Sequence, residues 1–448
     1  VIELLKDGTY LRYWLAVVVS FLGDAMTRVT LVYVAARLTD SPVVISLVVL
    51  SQLLPSGLLG AFVGPLADRL PARLLLIGSD LVRVPVVLAM IPALDSIGWL
   101  LALILLEGAG KAVFETARVT AIPKIVGSHH IPSAVALFQT TNQTVNLLGP
   151  ALGGVLVALG STPVVLTLNA ATFVVSALLL GSLGVLRDGP AQAGRAAEPY
   201  WTALRTGVRG VLAVPTLRFL FAFLVPVMLV SGVFTTNVNA QLLTVFDLQA
   251  LEYGTAQGLL AGGAILGALL GPALIRRFGA APGLLLTCGG LFGAALLTPA
   301  WLGDRPALGV IAGWCLLMGA FASLFQVPVA NMVLRDLPEE TRGRGVGLLN
   351  AVMVNVTIVG VAAGGPAAGG LGVAGSLVAS GAVLLVAAVA FVPAARRLSS
   401  RPLSASQRPD APAVPDVPDV PGPSGSPAQE PGGRGDGDVP SPAAGEVR

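Results

Sequence analysis

The chain is poor in charge. Of its 448 residues only 11% are Asp, Glu, Lys or Arg, against about 25% in an average soluble domain. It is 54% hydrophobic, with a mean hydropathy of +0.83. No water-soluble fold has interior enough to hide that much apolar surface, so the bilayer must be the solvent. Cysteine is nearly absent. Cys288 and Cys315 lie far apart inside apolar runs, which excludes a disulfide framework and a thiolate metal site and leaves buried packing. Histidine is as scarce, and His129 and His130 stand together with no acidic cluster near, so no metal site is expected. Only three lysines occur and the net charge is +3. Nothing in that balance calls for a nucleic-acid partner.

Nucleotide chemistry is excluded by spacing. Glu107-Gly108-Ala109-Gly110-Lys111-Ala112 has the look of a phosphate loop. Its first glycine would fall at Leu105, the residue after Lys111 is not Ser or Thr, and an apolar run surrounds it instead of a preceding strand. No nucleophile–base or metal constellation appears, so a membrane-embedded enzyme is disfavoured and no cofactor is expected.

Long apolar runs are what the chain has. They fall near 13–37, 42–65, 73–94, 98–122, 132–160, 163–186, 216–245, 252–276, 282–302, 306–334, 346–369 and 372–395. Each has roughly the twenty residues a membrane helix needs. The first follows Lys6 and Arg12 and continues without a small-residue cleavage pattern, so it is expected to remain as a membrane helix. About twelve helices put both termini on one side. Alternate loops carry Arg69 and Arg73, Lys124, Arg187 to Arg209, Arg276 and Arg277, and Arg335 to Arg344; Arg396, Arg397 and Arg401 follow the last run. The other loops hold only Arg37 and Arg305, beside Asp40 and Asp304. The basic loops mark the cytoplasmic side, so both termini are expected there.

Four regions are expected. Residues 1–186 form a six-helix bundle and 216–398 a second one. The connection 187–215 carries Trp201, Leu204, Val208 and Leu212 at the spacing of an amphipathic surface helix. The Pro-, Gly-, Ser- and Asp-rich segment 399–448 has no apolar face and is expected to be a disordered cytoplasmic tail. The halves echo one another. Gly64-Pro65 before Arg69 recurs as Gly271-Pro272 before Arg276, and Gly149-Pro150-Ala151-Leu152-Gly153-Gly154 recurs as Gly365-Pro366-Ala367-Ala368-Gly369-Gly370. Proline frees a backbone carbonyl and the glycines admit a close neighbour, so these two segments are candidate pivots.

Charges inside the runs are the candidate site residues, because an ionised group there is costly unless paired or wet. Asp24 and Arg28 are four apart, Asp80 and Arg83 three apart, and Glu107, Lys111, Glu115 and Arg118 form one stripe. Two readings stay open. Each acid neutralises the base a turn away, or a buried carboxylate exchanges a proton; Asp24, Glu107 and Glu115 are the candidates for exchange. On the second reading Arg28, Lys111 and Arg118 serve as charge partners or substrate contacts. The amides Gln139, Asn142, Gln143, Asn146, Asn169 and Asn237, followed by Asn239 and Gln241, either tie helices together or line a cavity.

The turn Gly64-Pro65-Leu66-Ala67-Asp68-Arg69, with Arg73 and Leu76 beyond it, resembles the loop signature between the second and third helices of the major facilitator superfamily. Gly23-Asp24, Leu168-Asn169-Ala170-Ala171-Thr172-Phe173 and Arg342-Gly343-Arg344 are similar to its enterobactin-exporter-like and macrolide-efflux-like branch. The likeness covers about residues 10–395. It implies an all-α integral membrane protein, with two six-helix bundles rocking about a central site. It also implies a cytoplasmic gate at Gly64, Asp68, Arg69 and Arg73, to which Asp80 and Arg83 are joined by their expected place near the same end. The fourth-helix arginine of many proton antiporters is absent: Ile104 stands there. Attention therefore moves to Asp24 and the Glu107–Glu115 stripe. The function implied is proton-driven export of an amphipathic small molecule, such as an antibiotic, secondary metabolite or siderophore, across the plasma membrane by a monomer. A proton-coupled importer and a non-transporting scaffold are the alternatives.

Overall fold

The computed structural model describes residues 2–184, 209, 213–278, 282–303, 305–336 and 339–399; of these, the side chains of 2–3, 60–69, 128–129, 327, 334–348 and 399 are outside the description. It is helical throughout, with no strand among the described residues. In chain order the helices are α1 (Ile2–Lys6), α2 (Gly8–Leu38), α3 (Pro42–Arg69), α4 (Ala72–Ala89), α5 (Ile97–Leu159) and α6 (Thr162–Gly181). The second half holds α7 (Pro215–Ala240), a π-helical turn (Gln241–Val245), α8 (Ala250–Phe278), α9 (Pro282–Ala295), α10 (Pro299–Leu302) and α11 (Leu308–Leu324). It continues with α12 (Gln326–Asp336), α13 (Glu339–Leu371), α14 (Val373–Ala390) and α15 (Val392–Ser399). Among the described residues, ten helical segments are long and apolar enough to cross a membrane. Their outer faces carry large exposed apolar side chains such as Leu178, Leu269, Val386 and Val389, as a lipid-facing surface requires.

Local chemistry sets the helix ends. The Asp7 side chain accepts from Thr9 N at 2.8 Å and caps α2. Prolines open α3, α7, α9 and α10, where their missing N–H is not needed. One boundary differs from expectation. In place of a loop between runs ending at 122 and starting at 132, the backbone stays helical except at Gly127, where φ is 71°. A residue with a β-carbon rarely adopts that conformation. Pro123 lies four residues before the break and Pro132 five after it; each removes one donor to the carbonyl four residues back, yet neither opens a loop. The run expected at 306–334 is also divided, with a turn at Phe325 between α11 and α12. The connection 187–215 lies outside the described residues except at Arg209 and its last three residues, and the tail 400–448 lies wholly outside them.

The halves meet mainly through the second arm of α5 against α8, and α3 against α13. The repeated Gly-Pro segments fall on these four helices. At Gly154 and Gly254 the backbones of α5 and α8 touch: a β-carbon on Gly254 would lie 2.8 Å from Gly154 Cα and 2.6 Å from Pro150 O. The main apolar core spans both halves, taking Val32, Ile45, Leu100 and Leu166 from the first and Phe223, Leu242, Tyr253 and Phe292 from the second. A smaller core, built on Tyr13, Phe21, Leu76 and Phe114, belongs to the first half alone. The halves therefore fuse toward the end that carries Arg37.

Candidate functional site

A cavity of about 490 Å³ lies between the halves. Its walls follow helical spacing: Phe21, Asp24, Thr27, Arg28 and Leu31 form one stripe of α2, and Glu107, Lys111 and Glu115 one stripe of α5. Gln52, Ser56, Asn142, Asn146 and Asn169 complete the polar side, all from the first half. The second half supplies Met228, Met353, Val354, Thr357 and Ile358. One wall is charged and polar, and the facing wall is mostly apolar.

The charges are not all paired as their spacing suggests. Arg83 is the hub. Its Nη2 donates to Asp24 and to Glu107, and its Nε donates to Glu107 at 2.9 Å. Its guanidinium lies 4.0 Å over the Phe173 ring centroid. The carboxylate three residues before it, Asp80, is 3.6 Å away. Asp24 turns its second oxygen to Lys111 Nζ at 3.5 Å. No ion pair joins Asp24 to Arg28 or Glu107 to Lys111 among the described residues. Neutralisation within one helix thus holds for Asp80 and Arg83 on α4, and not for Asp24 with Arg28 or Glu107 with Lys111. Partners come from α2, α4 and α5 because those helices pack around one point, and a guanidinium with several donors serves more than one carboxylate.

This also moves Asp80 and Arg83. Sequence groups them with the cytoplasmic turn, but their side chains are buried in the cluster behind the cavity wall. Arg73 does lie at that end: it donates to Leu180 O at 3.1 Å and to Gly181 O, satisfying carbonyls at the C-terminus of α6. Gly64, Asp68 and Arg69 lie on the helical backbone of α3, and their side chains are outside the described residues.

Of the amides, Asn142, Asn146 and Asn169 reach the cavity. Gln139 and Gln143 are exposed and outside its lining. Asn237 is fully buried in α7 and donates to Ser376 Oγ on α14, away from the cavity. Asn239 instead accepts from Tyr253 Oη at 2.6 Å and from Gln257. Arg118 is buried behind the lining, 3.6 Å from the Phe138 ring centroid. Gly149 and Gly153 press on Ala25 and Met26 of α2, and Gly365 on Val43 and Ser46 of α3. Sequence reasoning passed over Gly110, which makes room for the Arg83 stem, and over Ser20 and Ser176 beside Asp80. The signal for Gly110 was present but disguised, because the glycines around Lys111 look like part of a nucleotide loop.

The cavity is closed at its Arg37 end. Arg37 donates to Gln249 Oε1 at 3.0 Å and lies 3.7 Å from Asp247, which Arg305 approaches at 3.9 Å. Tyr33 stacks on Tyr253 with ring centroids 6.4 Å apart. Ser46 Oγ donates to Val361 O at 2.6 Å nearby. These contacts all cross between the halves or, for Arg305, brace the same aspartate.

The model of the Major Facilitator Superfamily matches residues 13–356 and again 238–428. The chain belongs to the Major Facilitator Superfamily. Its family and fold are those of facilitator transporters, which are not enzymes. The MFS-type transporter YfiS of Bacillus subtilis (strain 168) is 27% identical over 74% of this chain and 80% of its own length. The enterobactin exporter EntS of Shigella boydii serotype 18 is 31% identical over 56% of this chain; the match spans 59% of EntS. Among solved structures, a bacterial homologue of the iron transporter ferroportin in an inward-facing state matches with a TM-score of 0.68 at 17% identity. It covers 89% of this chain and 100% of that one. The nucleoside transporter NupG matches with a TM-score of 0.68 at 14% identity, over 87% of this chain and 99% of its own. In this facilitator, then, a half-charged, half-apolar cavity sits between the two halves of the chain, with contacts across them at its Arg37 end.

Proposed function

We propose that this facilitator exports amphipathic small molecules across the plasma membrane in exchange for protons. The observation that carries the reading is the ion cluster on the cavity wall. Asp24, Asp80 and Glu107 share two cations, Arg83 and Lys111. A buried cluster with one acid more than its bases is stabilised by taking up a proton. Two of its acids line the cavity, where the ligand would meet them. The apolar wall of Met228, Met353, Val354 and Ile358 suits a ligand with an apolar body, and methionine adapts to varied shapes.

Export as the direction draws on the similarity to EntS, not on the cavity. The ten spans become twelve when α4, with three charges in eighteen residues, and the second arm of α5 are added. With the basic loops inside, both termini are cytoplasmic. The Arg37 contacts then seal the outside.

Transport into everted membrane vesicles tests the reading. A panel of antibiotics and dyes that inhibit growth less when the protein is expressed supplies substrates. Uptake should need an acidic vesicle interior and should collapse with an uncoupler. Uptake only in right-side-out vesicles makes the protein an importer, and uptake indifferent to the uncoupler removes proton coupling. Deleting 399–448 should leave uptake intact; a scaffold that works through its tail would lose its activity.

A further inference from the structure

The ion cluster contains a contact that is not made. Arg83 commits its Nε and Nη2 to Glu107 and Asp24, while its Nη1 has no hydrogen-bond partner. Asp80 Oδ1 lies 3.6 Å from that same nitrogen. Asp80 is fully buried, and its Oδ2 has no partner either. Its Oδ1 accepts from the Ser20 hydroxyl at a long 3.4 Å. Ser176 on α6 stands beside it, near enough for its buried hydroxyl to interact with the carboxyl but outside full hydrogen-bond geometry. The most deeply buried acid of the cluster is therefore the least well served. An ionised carboxylate so placed draws a neighbouring guanidinium onto itself. A neutral acid does not, and its O–H is free to donate to a hydroxyl such as Ser176.

We infer that Asp80 is the carboxylate that holds the transported proton, that Arg83 passes its state to the cavity wall, and that the ligand is an amphipathic cation. The inference rests on the proton-coupled reading above. With a proton on Asp80 Oδ2, Arg83 stays on Asp24 and Glu107 and neutralises both from behind. When Asp80 releases that proton to water, the guanidinium closes the 3.6 Å gap to it, and the two wall carboxylates lose their strongest partner. The charged groups of the lining are then Asp24, Glu107 and Glu115 against Arg28 and Lys111. Three acids facing two bases in a cavity of low dielectric favour a positively charged occupant. Its apolar body rests on Met228, Met353 and Ile358. Proton and ligand compete through Arg83 without sharing an atom, so binding one expels the other. That is the sense of coupling an exporter driven by proton entry requires.

The test is equilibrium binding of tetraphenylphosphonium, a permanent lipophilic cation with no titratable group, to the purified full chain in lipid nanodiscs. No gradient is present, so binding is read apart from transport. Between about pH 5 and pH 8 the affinity of the native protein should rise at least tenfold. Asp80→Asn, which copies the neutral acid at every pH, should bind weakly throughout and lose the pH dependence. Asp80→Glu should restore it. Ser176→Ala keeps the carboxylate but removes a hydroxyl that can donate to its ionised form, so it should move the midpoint to higher pH. That variant decides the matter if Asp80→Asn does not fold. A native protein whose binding ignores pH, an Asp80→Asn protein that keeps the native pH profile, or a Ser176→Ala protein with an unmoved midpoint overturns the inference. Proton-driven export that survives any of these results leaves the proposed function standing, whereas vesicles without proton-driven transport remove that function whatever the binding shows.

Discussion

The stem of Arg83 fills the place that a β-carbon on Gly110 would take. Such a carbon would lie 2.6 Å from Arg83 Cγ and 3.0 Å from Cδ. These are atoms near the root of a side chain whose far end is held by Asp24 and Glu107, so the arginine has little freedom to move aside. Gly110→Ala should therefore dislodge Arg83 from its carboxylates. Overpacking of this kind costs about 1–3 kcal/mol, and transport should fall at least about tenfold. Initial rates of uptake into vesicles, normalised to protein amount, check it. Native rates would mean that the guanidinium is not held where transport needs it.

Removing the hub should damage stability more than removing one spoke. Arg83→Met leaves Asp24, Asp80 and Glu107 around an apolar side chain, and an uncompensated buried charge costs roughly 3–5 kcal/mol. Part of that is recovered as the acids take up protons. The sharper expectation is non-additivity. The Arg83→Met and Asp24→Asn changes combined should destabilise less than the sum of the two alone, by about 1 kcal/mol or more. Thermal unfolding of the four proteins in detergent measures the coupling. Strict additivity would show that the contact carries no energy.

The cavity acids were legible before any coordinates, and their partners were not. Charge is so rare in this chain that Asp24, Glu107 and Lys111 announce themselves within apolar runs. Spacing along one helix, however, reports only neighbours on that helix. Two of the three acids around Arg83 lie on other helices, α2 and α5, brought together by packing that periodicity does not describe. The amide stripe fails for a related reason. Successive residues point about 100° apart on a helix, and here Asn142 faces the cavity while Gln143 turns outward. The helices themselves were readable because apolar length is a strong signal. The boundary at Gly127 was not, since prolines on either side suggested a longer loop.

Asn237 is a structural residue by its contacts. It is fully buried and tied to Ser376, with no place in the cavity lining. Asn237→Ala should leave the Ser376 hydroxyl without this donor and lower stability by about 1–3 kcal/mol. Substrate concentration at half-maximal uptake should stay native. A changed concentration at native stability would return Asn237 to the ligand path.

Closure at the Arg37 end depends more on backbone fit than on its ion pairs. Arg37, Asp247 and Arg305 are 43%, 53% and 83% exposed, with separations of 3.7 and 3.9 Å. Exposed pairs of that kind contribute about 0–1 kcal/mol, so Asp247→Asn should change transport by less than about fivefold. The glycine contact permits no such tolerance. On Gly254 a β-carbon would lie 2.6 Å from Pro150 O and 2.8 Å from Gly154 Cα, both atoms of another helix backbone that cannot rotate away. Gly254→Val should hold α5 and α8 apart, keep the Arg37 end from sealing, and abolish transport. A cysteine replacing Asn146 on the cavity wall, in a chain whose Cys288 and Cys315 are buried, reports the state. It should react with an impermeant thiol reagent from outside the cell faster in the Gly254→Val background than without it. Equal labelling together with native transport would show that this end closes by some other contact.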